Sequence, residues 1–260
     1  MGDRVSVVTG ANRGLGRAIA ALARSGMRVA ATARDPASLS GPVEAIESAG
    51  GECWALRCDV AEEDSVNELA AKVGARAAEH GATLHTVVAN AGVAGPTAPK
   101  HELSVDEWRS CLATDLDGVF LKLRAFIPTL IEGRAGSLIA ISSMTGKRPL
   151  HGRTPYANAK MGVPGLVRSL ATELGQYDVR VNSVCPGAIA GPRIDAVIAE
   201  QAAKRGMNES QARATFTAAS PMDRFVSAGE VAATCACLTS DAATGITGED
   251  LNVSAGAVMY

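Results

Sequence analysis

Aromatic side chains are scarce in this chain: four Phe, three Tyr and two Trp make up 3% of 260 residues. A ligand-binding β-sandwich ordinarily needs more aromatic and β-branched residues, so that class recedes. Net charge is nearly absent too. The 25 Lys and Arg stand against 27 Asp and Glu, a balance of −2, which excludes a polybasic nucleic-acid binder and an acidic-tail protein. No apolar run approaches the ~18 residues that cross a bilayer, so neither nucleic acid nor membrane is expected as a partner. Met1-Gly2-Asp3-Arg4 leads directly into strand-like sequence, which leaves no room for a secretory leader and points to a cytoplasmic protein. Cysteine is present without pattern. The six residues at 53, 58, 111, 185, 235 and 237 have neither zinc-site spacing nor the density of a disulfide framework. They read as reduced core thiols, and no metal site is expected. Repeats, low-complexity tracts and linkers are also missing, so residues 1–260 read as a single domain.

Small and aliphatic residues are abundant: 47% of the chain is hydrophobic and 27 residues are Gly. That composition suits helices laid closely on a parallel sheet. Short apolar runs at 5–9, 28–32, 53–58, 84–89, 137–141, 179–184 and 250–253 read as strands. Between them, amphipathic stretches predict helices over 14–25, from Pro36 to Gly50-Gly51, and over 62–79, 105–131 (with Pro128 near its end), 155–176 and 230–238. Alternation this regular predicts right-handed βαβ units and an α/β, doubly wound sheet with helices on both faces. The rhythm breaks once, between Pro186 and Phe225, where only helical stretches over 194–205 and 209–216 appear. A segment of that length reads as a lid over a site at about 188–225, with an inert surface insertion as the alternative.

The first strand runs into Thr9-Gly10-Ala11-Asn12-Arg13-Gly14-Leu15-Gly16, where a helix opens. Gly10 permits a tight turn, Gly14 permits backbone to approach a phosphate, and Gly16 permits close helix–strand packing. The spacing is G-x-x-x-G-x-G rather than the common G-x-G-x-x-G, but its strand-first position still favours a nucleotide. At the end of strand two, where an acidic residue would hold a ribose hydroxyl, stand Ala33 and Arg34. With Arg13 in the glycine turn, two guanidinium groups favour a 2′-phosphate and hence NADP(H). Asp35 leaves NAD(H) open, because it can pair with Arg34 or take the ribose itself.

A second constellation lies further along. Tyr156 and Lys160 are four residues apart and share a helical face. A free phenol, with pKa near ~10, is a poor acid at neutral pH, and a neighbouring cation stabilises the phenolate. Thirteen residues before Tyr156, after strand five, Ser143 can hold a carbonyl oxygen while Tyr156 supplies its proton. Tyr-x-x-x-Lys alone is common on ordinary helix faces; its order after the glycine turn and the serine carries the reading.

With these motifs in register, the chain resembles the short-chain dehydrogenase/reductase family over essentially its whole length. The glycine turn, Cys58-Asp59-Val60, Asn90-Ala91-Gly92, Ser143, Tyr156, Lys160, Pro186-Gly187 and Ile246-Thr247-Gly248 all match that family's pattern. The bacterial β-ketoacyl carrier-protein reductase branch is the most similar. The resemblance implies a seven-stranded parallel Rossmann sheet and hydride transfer between NADP(H) and a small carbonyl or secondary alcohol. It makes Tyr156 the general acid/base, with Lys160 favouring the phenolate and holding the nicotinamide ribose, and Ser143 orienting the substrate oxygen. It also places Asp59 and Val60 at adenine, Asn90 by the adenosine ribose and nicotinamide side, and the Ile189 backbone at the carboxamide. A homotetramer or homodimer follows from the same likeness, with the long fourth helix and the Tyr156 helix as interfaces.

Three positions depart from the family pattern. Asp115 replaces an Asn of the proton relay and, when ionised, accepts bonds but donates none. Ala190-Gly191-Pro192 lacks a Thr, and Ser254-Ala255-Gly256 replaces Asp-Gly-Gly. The pocket is expected between 93–97, 144–155 and the excursion. Lys147, Arg148, His151 and Arg153 lie just before Tyr156, either steering an anionic substrate or forming a solvated loop. Alternatives to a ketoacyl-type reductase are a dehydrogenase of a secondary alcohol, sugar or hydroxy acid, and a non-catalytic nucleotide-binding scaffold.

Overall fold

The seven apolar runs assemble into one parallel sheet in the order β3-β2-β1-β4-β5-β6-β7. The computed structural model describes residues 4–21 and 26–260. Its strands are β1 (Arg4–Thr9), β2 (Arg28–Ala33), β3 (Cys53–Arg57), β4 (Thr83–Ala89), β5 (Gly136–Ile141), β6 (Val179–Pro186) and β7 (Asp250–Val253). Each strand expected from the sequence is present, with ends shifted by two residues at most. The chain winds outward from β1 to β3, then returns to the far side of β1 and continues through β4 to β7. Strand order therefore reverses between β1 and β4, and the crevice beyond their carboxyl ends is where such sheets hold ligands.

Burial on both faces explains why these strands are continuously apolar rather than alternating. On β5, Leu138 and Ala140 join a core with α3 (Glu63–Glu79), α5 (Gly118–Gly133) and α6 (Thr154–Leu174). Ile139 and Ile141 face the opposite way, into a core with α1 (Gly14–Ala20), α2 (Ser40–Glu47) and α9 (Ala228–Thr239). Five of the six cysteines are buried and Cys237 is exposed. The part of the first expected helix at 22–25, and the start at Met1 to Asp3, lie outside the described residues.

The expected continuous helix over 105–131 is divided. α4 (Val105–Leu112) gives way to a π-helical turn, Ala113–Asp117, before α5 begins. Such a turn adds one residue to the helical repeat and re-aims the side chains that follow. Here it buries Asp115 completely. Gly118 sits so close to the loop after β3 that a Cβ would come within 2.8 Å of the Val60 carbonyl. Pro128 lies inside α5, which continues past it to Gly133.

The segment after β6 forms α7 (Pro192–Arg205) and α8 (Glu209–Thr217). Gly206, at φ +63°, ends α7, and Asn208 with Gln211 forms a reciprocal cap on α8. Sequence reading found no strand here, yet a parallel bridge, Ile189 with Val226, closes the base of the excursion. Its helices have a small core of their own, made by Ile198, Ala202 and Ala212 with Ile194, Phe216 and Phe225 packed against it. Arg213 pairs with Asp195 and stacks its guanidinium 5.3 Å from the Phe225 ring centre.

A core that small and separate should open independently of the sheet. Ile198→Ala is expected to cost the excursion about 2–4 kcal/mol. Amide hydrogen exchange over 192–217 should accelerate while β4 and β5 stay protected; equal acceleration throughout would show that the excursion is not a separate unit.

Candidate active site

At the end of β1, the Thr9 hydroxyl oxygen accepts from the backbone N–H groups of Asn90 and Ala91, both at 3.1 Å. The Asn90 amide donates to the Thr9 carbonyl at 2.8 Å and to that of Gly10 at 3.4 Å. This double clasp ties the glycine turn to the end of β4. Gly10 has φ +66°, and a Cβ there would come within 2.9 Å of the Ala91 backbone. A Cβ on Gly16 would lie 2.0 Å from the Gly10 carbonyl oxygen, so that position admits no side chain. Gly14, at φ +53°, instead faces open space. Asn12 and Leu15 are half-buried beside it, and Arg13 and Arg34 are exposed. Arg13 precedes α1, whose amino end has no side-chain cap and no acid in its first turn. Asp35 accepts from the Ala37 N–H at 3.0 Å, capping the turn Pro36–Leu39. Beyond β3, Asp59 accepts from the Ala61 N–H at 3.1 Å, and Val60 is buried.

Tyr156, Lys160 and Asp115 converge near the ends of β4 and β5, and Ser143 opens the turn that follows β5. The Lys160 ammonium lies 5.7 Å from the Tyr156 ring centre, donates to the Ile141 carbonyl at 3.0 Å, and stands 3.7 Å from Asp115 Oδ1. Asp115 Oδ1 also accepts from the Val93 N–H at 3.0 Å. The Cys111 thiol, which burial and then the Asp115 charge push up to about 11, donates to Oδ2 at 3.9 Å. Gly92 is required here, because a Cβ would come within 2.4 Å of Asp115. Ser143 accepts from the Thr145 N–H at 3.1 Å, which leaves its own O–H to donate. Ser142 donates to the Lys160 carbonyl at 2.7 Å and pins α6 to the end of β5.

Past β6, the Gly187 N–H donates to the Val253 carbonyl. The bridge to Val226 is made by Ala188 and Ala190, so the N–H and C=O of Ile189 face the other way. The Ser220 hydroxyl donates to the Ala255 carbonyl at 2.5 Å, and Gly256 packs on Pro221, so the chain end braces the excursion. The cations before Tyr156 separate. Lys147 donates to the Asp250 and Tyr260 carbonyls, Arg148 donates to Ala257, and His151 is exposed. Arg153 alone turns onto the Tyr156 ring, 5.0 Å from its centre. The expected cluster of four is thus one residue at the tyrosine.

A Rossmann sheet with a glycine turn at its switch point and a paired Tyr and Lys beside it defines an oxidoreductase architecture. A family model described as Enoyl-(Acyl carrier protein) reductase matches residues 10–258. Cis-4-hydroxycyclohexanecarboxylate dehydrogenase of Sinomonas cyclohexanicum is 37% identical over 256 residues, covering 98% of this chain and 96% of that protein. The 3-oxoacyl-[acyl-carrier-protein] reductase of Synechocystis sp. is 32% identical over 99% of this chain and 98% of its own. The crystal structure of a variant actinorhodin polyketide ketoreductase with NADPH superposes with a TM-score of 0.93 at 30% identity, covering 99% and 98%. The chain belongs to the short-chain dehydrogenase/reductase family, whose members oxidise alcohols or reduce ketones.

The sequence reading passed over Lys122 and took Thr9 only as the start of the glycine turn, without its bonds to the end of β4. Lys122 is wholly buried on α5, and its ammonium has one hydrogen bond among the described residues, to the Ala91 carbonyl at 3.4 Å. Burial first, and then repulsion from Lys160, pull its pKa down to about 7, against weaker opposing pulls from Cys58 and Asp115. The unfolded chain therefore binds the extra proton between about pH 7 and the ordinary lysine value near ~10.4, so stability from this group rises with pH across that window. The buried thiols work in the opposite sense, but only above their unfolded value near ~8.5. From pH 7 to 8.5, the urea midpoint of the wild type should climb relative to that of Lys122→Met. Parallel midpoints would show that Lys122 does not titrate in this way.

Proposed function

We propose that the protein transfers a hydride between NADP(H) and a small ketone or secondary alcohol, with Tyr156 as general acid/base. The observation that carries this is the Lys160 ammonium 5.7 Å from the Tyr156 ring centre, held there by Ile141 and Asp115. The cofactor assignment is supported by the turn itself. The open space at Gly14 and the uncapped amino end of α1 suit a pyrophosphate. Arg13 and Arg34 are exposed at the place for a 2′-phosphate, and the Asp35 carboxylate is engaged as a cap. NAD(H) would lose those guanidinium contacts. Asp59 and Val60 would flank the adenine, Asn90, Ala91 and Gly92 the adjoining ribose, and Pro186, Gly187 and the outward-facing backbone of Ile189 the nicotinamide end. When bound, the nicotinamide ring supplies or accepts the hydride.

The remaining chemistry belongs to the chain. In reduction, the Tyr156 O–H gives its proton to the substrate oxygen, and Lys160 stabilises the phenolate left behind. Ser143 donates to the same oxygen and fixes its direction. Asp115 positions Lys160 through their ion pair, while its tie to Val93 keeps the loop after β4 in place. In the oxidative direction, for which the dehydrogenase among the relatives is named, the same groups run the step backwards. The excursion serves as the lid, residues 188–225, over the substrate end of a single 1–260 domain, and a cytoplasmic location fits the reduced thiols.

Assembly is proposed through α5 and α6. Phe120 on α5 and Met161 on α6 are 45% and 51% exposed, so each of these helices presents a large apolar side chain at the surface.

With NADPH and a panel of ketones, Tyr156→Phe should lower kcat by about 10²–10⁴-fold while NADPH binding stays within twofold, and NADH should serve the wild type less well. Wild-type kcat in the variant would refute the acid/base assignment. Light scattering after size exclusion should give a dimer or tetramer for the wild type and a smaller species for Phe120→Asp with Met161→Asp; an unchanged mass would place the interface elsewhere.

A further inference from the structure

Arg153 stands just before α6 and is 8% exposed. A buried guanidinium ordinarily meets a carboxylate, because an uncompensated charge is costly away from water. Among the described residues none lies within ion-pair distance of Arg153. Its partners are neutral: Nη1 donates to the Thr97 hydroxyl at 3.2 Å and Nη2 to the Ala94 carbonyl. Those two bonds engage two of the five N–H donors that a guanidinium carries. The plane rests 5.0 Å from the centre of the Tyr156 ring. Arg193, exposed on α7, is near enough for its charge to oppose that of Arg153, while Glu200 on the same helix acts in the other direction. One deeply buried cation thus lies against the tyrosine with no carboxylate within ion-pair distance among the described residues, and a second, exposed one lies within reach of its charge.

We propose that Arg153, assisted by Arg193, binds a carboxylate carried by the substrate, so that the protein acts on oxo acids or the corresponding hydroxy acids. This rests on the reading of Tyr156 as the acid/base. A carboxylate fits better than the phosphate of a carrier arm. Arg153 lies against the reacting phenol rather than at the mouth, and its planar fork matches two carboxylate oxygens.

The test measures kcat/KM with NADPH for 4-oxopentanoate, 5-oxohexanoate and 3-oxocyclohexanecarboxylate, each beside its methyl ester. The wild type should prefer the best acid over its ester by about tenfold or more, and Arg153→Gln should lower the acid by about thirtyfold while moving the ester by less than about threefold. Arg193→Gln, an exposed change that leaves the core intact, should lower the acid by about three- to tenfold with the ester unmoved. A merely structural role, holding Ala94 and Thr97, would lower acid and ester together in Arg153→Gln. That result, or a wild type indifferent to esterification, overturns the proposal while leaving hydride transfer intact. A wild type that reduces neither member of any pair removes the underlying reading and this proposal with it.

Discussion

The contact on which the site depends is the buried ion pair between Asp115 and Lys160. Neither side chain is more than 5% exposed. At an effective dielectric near 20, two charges about 4 Å apart attract by roughly 4 kcal/mol, while desolvation costs several kcal/mol for each ion. The pair therefore cannot hold itself together by attraction alone. The Val93 N–H on the carboxylate and the Ile141 carbonyl on the ammonium make up the difference. Through them, one contact joins the loop after β4, the π-helical turn, the end of β5 and α6. The glycines around it follow from this crowding. Gly92 makes room for Asp115, and Gly146 lets the turn after β5 approach within 2.5 Å (from a notional Cβ) of the Lys160 carbonyl. An Asn at 115 would accept from Val93 equally well, but it would leave the ammonium without an opposing charge. The aspartate thus fixes Lys160 more firmly at the expense of an amide donor.

Lys122 completes that balance. One buried carboxylate near two buried ammonium groups would leave a surplus positive charge in the core. Burial and the Lys160 charge pull Lys122 down to about 7, which favours its neutral form and so eases the surplus, while Lys160 keeps the carboxylate contact. A neutral amine can still donate to the Ala91 carbonyl, so the bond to the loop after β4 survives deprotonation. Asp115 and Lys122 are thereby two parts of one arrangement, one on the π-helical turn and the other on the helix that follows it.

Much of this was legible in the sequence because the parallel sheet imposes a simple pattern. Runs such as Leu138-Ile139-Ala140-Ile141 are apolar at every position since both faces are covered. The glycine turn and the Tyr156–Lys160 spacing were readable because backbone sterics and the helical repeat dictate them. The π-helical turn was not, since Ala113–Asp117 carries no signature that separates it from an ordinary helix. The bridge of Ile189 to Val226 was hidden for a related reason: a single pair across 37 residues of chain has no periodicity to betray it. Lys122 did leave a trace. Val119, Leu123, Phe126 and Leu130 mark the buried face of α5, and a charged residue three positions after Val119 falls on it. The separation of Lys147 and Arg148 from Arg153 had no such trace, because it depends on where the chain end lies.

The two ends of the proposed reaction are built on parts of different rigidity. The proton-transferring groups sit on the sheet and on α6, tied by Ser142, Ile141 and the buried pair. Arg193 comes from a helix pair whose own core is three fully buried residues, joined to the sheet at the Ile189 bridge and braced by the chain end at Ala255 and Gly256. An anion that reaches Arg153 would draw in a second cation from that looser element. Acting as the proposed lid, the excursion would close most favourably over a substrate whose charge lies next to the tyrosine, and a neutral ketone would lack that inducement. Selectivity and closure would thus have one physical origin, a guanidinium on the scaffold that lacks an anion and another on the excursion.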